Sequence, residues 1–382
     1  SYIPKASRPN RIGMLDLLPE IAEAWKTNRR GILASAREAV AKLEQFNGGE
    51  PGKDLDLDTL TMAYEHLAER YDPRTGGFTV SPKFPPTHHL SFLLRYCRRT
   101  GNENALAMVE HTLDNMARGG IFDHIGQGFH RYATDDHWNV PHFEKMLYDQ
   151  AMLAMTYAEA FQATGNESYR DTARKICDYV LEDLTSPDGA FYAARDADSE
   201  GEEGKFYTWT VNEVLDVLGD ERGREFVAAY NFEARGNYDD QATGERTGSN
   251  VPNLKRPLSE IAHELGVETK QLQRRLQASR KILFTHREKR ISPMRDETIL
   301  ADWNGLMTMA FAKCGQALSE PRYTAAAMRS ADFILENLVS PKGGLLASKG
   351  RLLHRFRNGA ASNPAHLEDY AFVVWALLDV YE

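Results

Sequence analysis

The densest chemistry in the sequence lies between Gly119 and Leu153, in GGIFDHIGQGFHRYATDDHWNVPHFEKMLYDQAML. Histidines, carboxylates, Arg131, two tyrosines and Trp138 gather there around glycines and Pro141. The first part has neither a helical nor a strand period and reads as a long loop. Loops of that length inside a compact domain are usually functional or disordered, and the aromatic content argues against disorder. A helix is expected to begin at Pro141-His142. On it His142, Lys145, Met146 and Asp149 would share one face through their i, i+3/i+4, i+7 spacing. A histidine so placed could exchange protons near neutral pH, and Asp149 could orient a partner or bind a hydroxyl. The competing reading is a hydrogen-bonded network that ties the loop down.

Three further stretches carry more polar and aromatic residues than packing needs: Ser81-Pro82-Lys83-Phe84-Pro85, the run from Arg195 to Trp209, and Asp302-Trp303-Asn304-Gly305, echoed by Glu368-Asp369-Tyr370. Asp196-x-Asp198-x-Glu200-Gly201 matches the first six positions of an EF-hand loop. Its twelfth position is Tyr207 where a bidentate glutamate belongs, so no metal is assigned. Aromatics beside carboxylates suit a sugar: ring faces cover the apolar side of a pyranose, and carboxylates and amides bind its hydroxyls. The same aromatics could instead simply pack at helix ends. The candidate catalytic residues are His142, Asp149, Asp196 and Asp198. The candidate substrate-binding residues are Lys83, His130, Arg131, Tyr132, Trp138, Tyr148, Trp209, Asp302, Trp303, Asn304 and Asp369. No cofactor is assigned.

These stretches need a frame to hold them, and the pattern is all-α. Apolar residues keep helical spacing at Ile32, Ala36, Val40 and Leu43, and again at Leu60, Tyr64 and Leu67. A helix is expected after Pro85-Pro86, ending at Thr100-Gly101-Asn102, and another over 104–117. Residues 149–189 find matches 154 positions on, in 303–343: Gln150 with Asn304, Leu153 with Met307, Tyr169 with Tyr323, Ser186-Pro187 with Ser340-Pro341, Gly189 with Gly343. Each unit reads as a helical hairpin closed by S-P-x-G. Residues 85–122 form a looser copy, and 366–382 the opening helix of another. Tandem hairpins stack as an open solenoid or close into a ring. Long, dissimilar polar loops at equivalent places favour the ring, with a pocket at one end. Residues 211–290 read as an irregular portion, with a short helix near Val214, no period over 231–253 and a charged helix over 268–290 whose charge suggests a solvated face.

Bulk properties set limits. With 382 residues, 42% hydrophobic and 26% charged, the chain can bury an extensive core. A net charge of −9 without a long basic run argues against nucleic acid as a partner. There is no signal-peptide pattern and no apolar run of the ~18 residues a membrane span needs, so no membrane partner is expected. Cys97, Cys177 and Cys314 are far apart without a C-x-x-C and read as buried small hydrophobes in a reducing, cytoplasmic compartment.

Six motifs together resemble the spermatogenesis-associated protein 20 family of thioredoxin-domain proteins: S-P-K-F-P (81–85), G-G-I-F-D (119–123), G-F-H-R-Y (128–132), V-P-H-F-E-K-M-L-Y-D (140–149), D-A-D-S-E-G-E-E-G-K-F-Y-x-W (196–209) and W-N-G-L-M (303–307). The resemblance covers essentially the whole chain. It implies a thioredoxin-like domain followed by an (α/α)6 toroid of the six-hairpin glycosidase type, similar to N-acylglucosamine 2-epimerase and cellobiose epimerase barrels. On that reading residues 1–27 are the end of the thioredoxin-like domain or a linker. Residues 28–382 are a toroid truncated at its C-terminus, and the thioredoxin-like domain is its partner in the same full-length chain. The epimerases' catalytic histidine pair has no residue-by-residue match here. Three functions then compete. The first is a carbohydrate-active hydrolase or isomerase, for which hydrolysis needs two carboxyls about 5–9 Å apart. The second is a non-catalytic module that binds a sugar, peptide or protein, and the third a scaffold whose loops fill the ring.

Overall fold

A computed structural model describes residues 3–7, 12–47, 56–239, 245–340 and 350–382. The chain divides into two compact units, residues 1–59 and 60–382. The first holds helices α1 (Met14–Thr27) and α2 (Arg29–Asn47). Helix α1 begins at Met14 and contains Pro19. By its sequence Tyr2-Ile3-Pro4 reads as a short extended piece, and it lies partly outside the described residues.

Helix α3 (Leu57–Arg70) leads into the second unit. There α4 (Thr87–Thr100) pairs with α5 (Glu103–Arg118), and α6 (Leu147–Thr164) with α7 (Glu167–Asp183). The first two hairpins turn in the same way. Gly101 (φ 74°) and Gly165 (φ 70°) end α4 and α6 in the left-handed conformation, which costs glycine little. The next residues, Asn102 and Asn166, cap α5 and α7 by accepting from Ala105 N and Ser168 N, both at 3.0 Å. Four inserted helices follow, α8 (Val211–Leu218), α9 (Asp220–Ala229), α10 (Leu258–Glu264) and α11 (Thr269–Arg287). Helix α12 (Ala301–Leu318) then pairs with α13 (Pro321–Asn337), and α14 (Leu367–Tyr381) lies against α12.

Helices α6 and α12 are apolar on nearly every face and buried all round, which marks them as inner helices. Helices α4, α6, α12 and α14 stand side by side in chain order, with α5, α7 and α13 outside them. This is the all-α, α/α-toroid architecture expected from the repeat. The outer layer is laced by tyrosines at matching positions. Tyr169 OH donates to Glu110 O (3.4 Å), and Tyr323 OH reaches Asp178 Oδ1 (2.6 Å) one hairpin on.

Short strands tie the connections together at one end. Residues 145–146, just before α6, pair with 194–195, which pair with 295–296. Residues 299–300, just before α12, pair with the hairpin 353–357/360–364. Of the S-P-x-G endings, Ser186 and Ser340 each accept a backbone N–H, from Ala190 (3.1 Å) and Arg351 (3.0 Å); Pro341 and Gly343 lie outside the described residues. The inserted helices share a separate core of Trp209, Val214, Phe226, Leu272, Leu276 and Leu283, closed by Ile125 from the central loop. The expected solvated face of the charged helix needs one correction: Arg287, at its last turn, is only 3% exposed.

Candidate functional site

The central loop is ordered by close backbone approach. Ile121 N donates to Trp138 O (3.0 Å), and a Cβ on Gly119 or Gly120 would fall 2.3 Å from Trp138 O or 2.0 Å from Asn139 O. The G-G pair is therefore required by contact rather than by flexibility. Tyr132 and Ala133 pair with His142 and Pro141, and Arg131 N donates to Glu144 O (2.8 Å). The expected helix start at Pro141-His142 is not found, because α6 begins at Leu147. Residues 141–146 are extended, so side chains alternate. His142, Glu144 and Met146 are half-buried, whereas Phe143 and Lys145 are buried. His142, Lys145, Met146 and Asp149 thus share no helical face.

His142 is held by two carboxylates. Its Nδ1 lies 2.7 Å from Glu203 Oε1 and its Nε2 3.6 Å from Glu144 Oε2. The neighbouring carboxylates of Glu144 and Glu203 outweigh burial and raise it to about 9, so at neutral pH it is an imidazolium that donates to Glu203 and faces Glu144 as an ion pair. Burial raises the Glu203 carboxyl, but the His142 hydrogen bond outweighs it and the net shift is downward. The Tyr132 ring stacks on His142 with centroids 5.0 Å apart, and Phe84 packs against Tyr132 at 4.6 Å. Arg131 Nε donates to Tyr148 OH (3.3 Å), and its Nη1 lies 3.5 Å from Glu144. Asp149 sits in the first turn of α6. Its Oδ2 is buried without a partner among the described residues, and burial, opposed by Arg131, pushes the carboxyl up to about 8. It is therefore a protonated acid at neutral pH. Trp303, at the start of α12, meets Tyr148 edge-on at 4.8 Å. Asp198 is exposed; partial burial and then Asp196 and Glu203 raise its carboxyl, against His142. Asp196 accepts from Asp198 N (3.2 Å) and serves its own turn.

A second cluster lies where α12 and α14 begin. Asp369 Oδ1 accepts from Asp302 N (3.0 Å), His354 Nδ1 lies 3.0 Å from both Asp369 oxygens, and Asp369 Oδ2 accepts from His366 N (2.7 Å). Asp302 is raised by burial and by Asp369, while accepting from Trp303 N. Asp302, His354 and Asp369 place ligand atoms within 4.8 Å of one another, as a metal site would. The completely buried Asp369 already accepts four contacts from N–H groups, which explains its position without an ion. The Asp135-Asp136-His137 grouping is likewise spent, since Asp135 caps the amides of His137, Asn139 and Val140.

The remaining expected site residues sit elsewhere. Lys83 is buried, with its ammonium on Asp72 (2.8 Å), Thr75 (2.6 Å) and Gly76 O (2.8 Å). His130 is buried against Phe143 O (2.9 Å) and is lowered to about 3, chiefly by burial and Lys145. Trp138 donates to Thr75 O (2.8 Å) from the core. Trp209 lies in the core of the inserted helices beneath Arg290. Asn304 and its repeat partner Gln150 clamp backbone: Asn304 bonds Phe191 N (2.8 Å) and O (3.0 Å), and Gln150 bonds Phe129 N (2.8 Å) and O (2.7 Å). The EF-hand likeness also fails. Asp198-Ser199 and Glu202-Glu203 form a two-residue hairpin whose turn residues Glu200 (φ 55°) and Gly201 (φ 80°) suit a type I′ turn. Sequence reasoning missed Glu144, Glu203 and His354 as partners; the first two lay inside the quoted motifs.

The structure thus presents an α/α toroid with a polar, aromatic-rich cluster at the end where its inner helices begin. No protein-family profile matches the chain. The whole chain is similar to spermatogenesis-associated protein 20 of Homo sapiens, 37% identical over 415 residues, and of Mus musculus, 37% identical over 412 residues. It covers 52% of each and so spans about half the length of these relatives. The family resemblance carried by the six motifs is borne out for this region. Similar solved structures are a glycoside hydrolase family 76 mannosidase from Bacteroides thetaiotaomicron (13% identity, TM-score 0.43, 77% of this chain and 52% of that one) and the cellobiose 2-epimerase of Spirochaeta thermophila (15%, 0.32, 85% and 96%). Among the described residues no helix is long and apolar enough to cross a membrane.

Proposed function

We propose that the chain binds a carbohydrate where α6 and α12 begin, and that Asp149 is the general acid for its hydrolysis or isomerisation. The observation that carries this reading is the buried Asp149 carboxyl, protonated at neutral pH and with an oxygen that no group among the described residues satisfies. A carboxylic acid held neutral near pH 7 is what proton donation to a leaving or ring oxygen requires. Arg131 and Tyr148 would hold hydroxyls, Trp303 and Tyr132 would cover the apolar face of the ring, and Asp198 is the accessible second carboxyl. His142 would act as a fixed cation that orders Glu144 and Glu203. Asp302 and Asp369 brace the start of α12. The three unpaired cysteines fit a reducing cytoplasm, and the greater length of the relatives leaves room for a thioredoxin-like partner domain.

A non-catalytic binding module is the second reading. It is favoured by the occupied state of both His142 nitrogens. The two are separated by a thermal-shift screen of sugars and sugar phosphates, followed by product analysis on the hits. The first reading expects a sugar that raises Tm and is turned over, with turnover reduced at least ~100-fold in Asp149→Asn and the shift lost in Trp303→Ala. A shift without turnover supports the second reading, and no shift across the panel contradicts both.

A further inference from the structure

A separate cavity of about 70 Å³ lies on the other side of the extended segment that carries His142. It is lined by Lys145, Tyr179, Asp183, Arg195, Tyr207 and Arg287, among others. Lys145 and Arg287 are nearly fully buried, and both turn to a single buried carboxylate, Asp123. Asp123 has nothing left to accept with. It takes Lys145 Nζ (2.8 Å), Arg287 Nη1 (3.0 Å to each oxygen) and the amides of Ile125 and Gly126 (2.9 Å each). Asp183 is likewise engaged by Arg195 Nε and Tyr179 OH, both at 3.1 Å. The donors are not used up. Arg287 Nε is buried without a partner among the described residues. Lys145 uses two of its three N–H groups, on Asp123 and Gln127 O. Tyr207 OH makes no hydrogen bond to the described residues. The rim adds Glu182 and Glu288, which lie nearer solvent.

Two buried cations against one buried anion leave a positive charge that the interior does not balance, and such a charge is costly unless something pairs with it. The rings of Tyr179, Phe206, Tyr207 and Phe284 around Lys145 and Arg287 soften this cost without supplying an acceptor. We propose that this cavity is a binding site for a small tetrahedral oxyanion of the phosphate class, held by the Arg287 guanidinium, the third Lys145 N–H and Tyr207 OH. Its size suits a free ion more than an ester. Because Lys145 and Glu144 are neighbours on one extended segment, an anion here would also fix the backbone that presents His142 and Glu144 on the opposite face.

The test is calorimetric titration and thermal melting of the full chain with inorganic phosphate, against sodium chloride at equal ionic strength and a sugar phosphate in parallel. The site expects phosphate to bind and raise Tm where chloride does not. It expects Tyr207→Phe to weaken phosphate about tenfold, the loss of one hydrogen bond to a charged group, and Arg287→Lys to weaken it further. Unliganded melts of both variants establish that they fold. Sugar-phosphate binding with the same dependence on Tyr207 supports the site with an esterified source. A phosphate effect matched by chloride, or kept in full by both variants, overturns it.

Discussion

Asp149 and His142 shift for opposite reasons, and both weaken the fold at high pH. The folded Asp149 carboxyl titrates at about 8 because it is buried, whereas an unfolded aspartate titrates near ~4. Between those values the folded state keeps a proton that the unfolded state has lost, so stability falls as pH rises from ~4 to about 8 and is level above. Asp149→Asn cannot ionise. It should be more stable than the parent at pH 8, by on the order of a few kcal/mol, with the difference gone near pH 4; urea melts at the two pH values measure this. His142, raised to about 9, stabilises fully below its ordinary value and loses that contribution as pH climbs through 9. Residue types were legible in the sequence, but local geometry was not. The spacing of His142, Lys145, Met146 and Asp149 fits a helix as well as a strand followed by a helix. Strands of two residues are too short to show their own period.

At the level of elements, the repeat was the clearest signal because it fixes positions as well as periodicity. Gln150 and Asn304, 154 positions apart, perform the same act: an amide near the start of an inner helix closes both hydrogen bonds of a passing phenylalanine backbone. In the sequence Asn304 reads as a ligand contact, because a polar residue in a W-N-G run looks available. The structure shows its amide wholly engaged by the protein. Gln150→Ala or Asn304→Ala should each leave two buried backbone groups unpaired and cost about 1–3 kcal/mol. Chemical denaturation of the two variants should show closely similar losses; a loss confined to one would show that the equivalence is only geometric. Glu203 escaped notice for a related reason. It reaches His142 across 61 positions, and only the hairpin turn at Glu200-Gly201 brings it there.

For the whole molecule, the hairpins that carry the inner helices were legible from the repeat, while helices α9 and α10 and the separate core around Trp209 were not. Short amphipathic helices among polar residues give little period to read, and their core is closed by Ile125 from a distant loop. Buried ion pairs join these regions. Asp123 connects the central loop to Lys145 and to Arg287 at the end of α11, and Asp72 holds Lys83. Burial opposes ionisation at both aspartates, but Arg287 and Lys145 at Asp123, and Lys83 at Asp72, prevail and hold them far below the usual carboxylate range. Carboxylates of this kind stabilise above the unfolded value, and that stability is lost as pH falls below ~4. Stability should therefore drop steeply between about pH 4 and 2, with a shallower slope in Lys83→Met, whose Asp72 no longer has its partner. Equilibrium denaturation across that range checks it.

The central claim, a carboxylic acid kept protonated at neutral pH at the mouth of the toroid, is tested most directly by carbon-13 NMR. The chain is labelled at aspartate carboxyl groups, and Asp149→Asn assigns the resonance. The account predicts a carboxyl that is protonated at pH 6 and titrates near 8. A resonance already that of a carboxylate at pH 6, with its midpoint near 4, would contradict it.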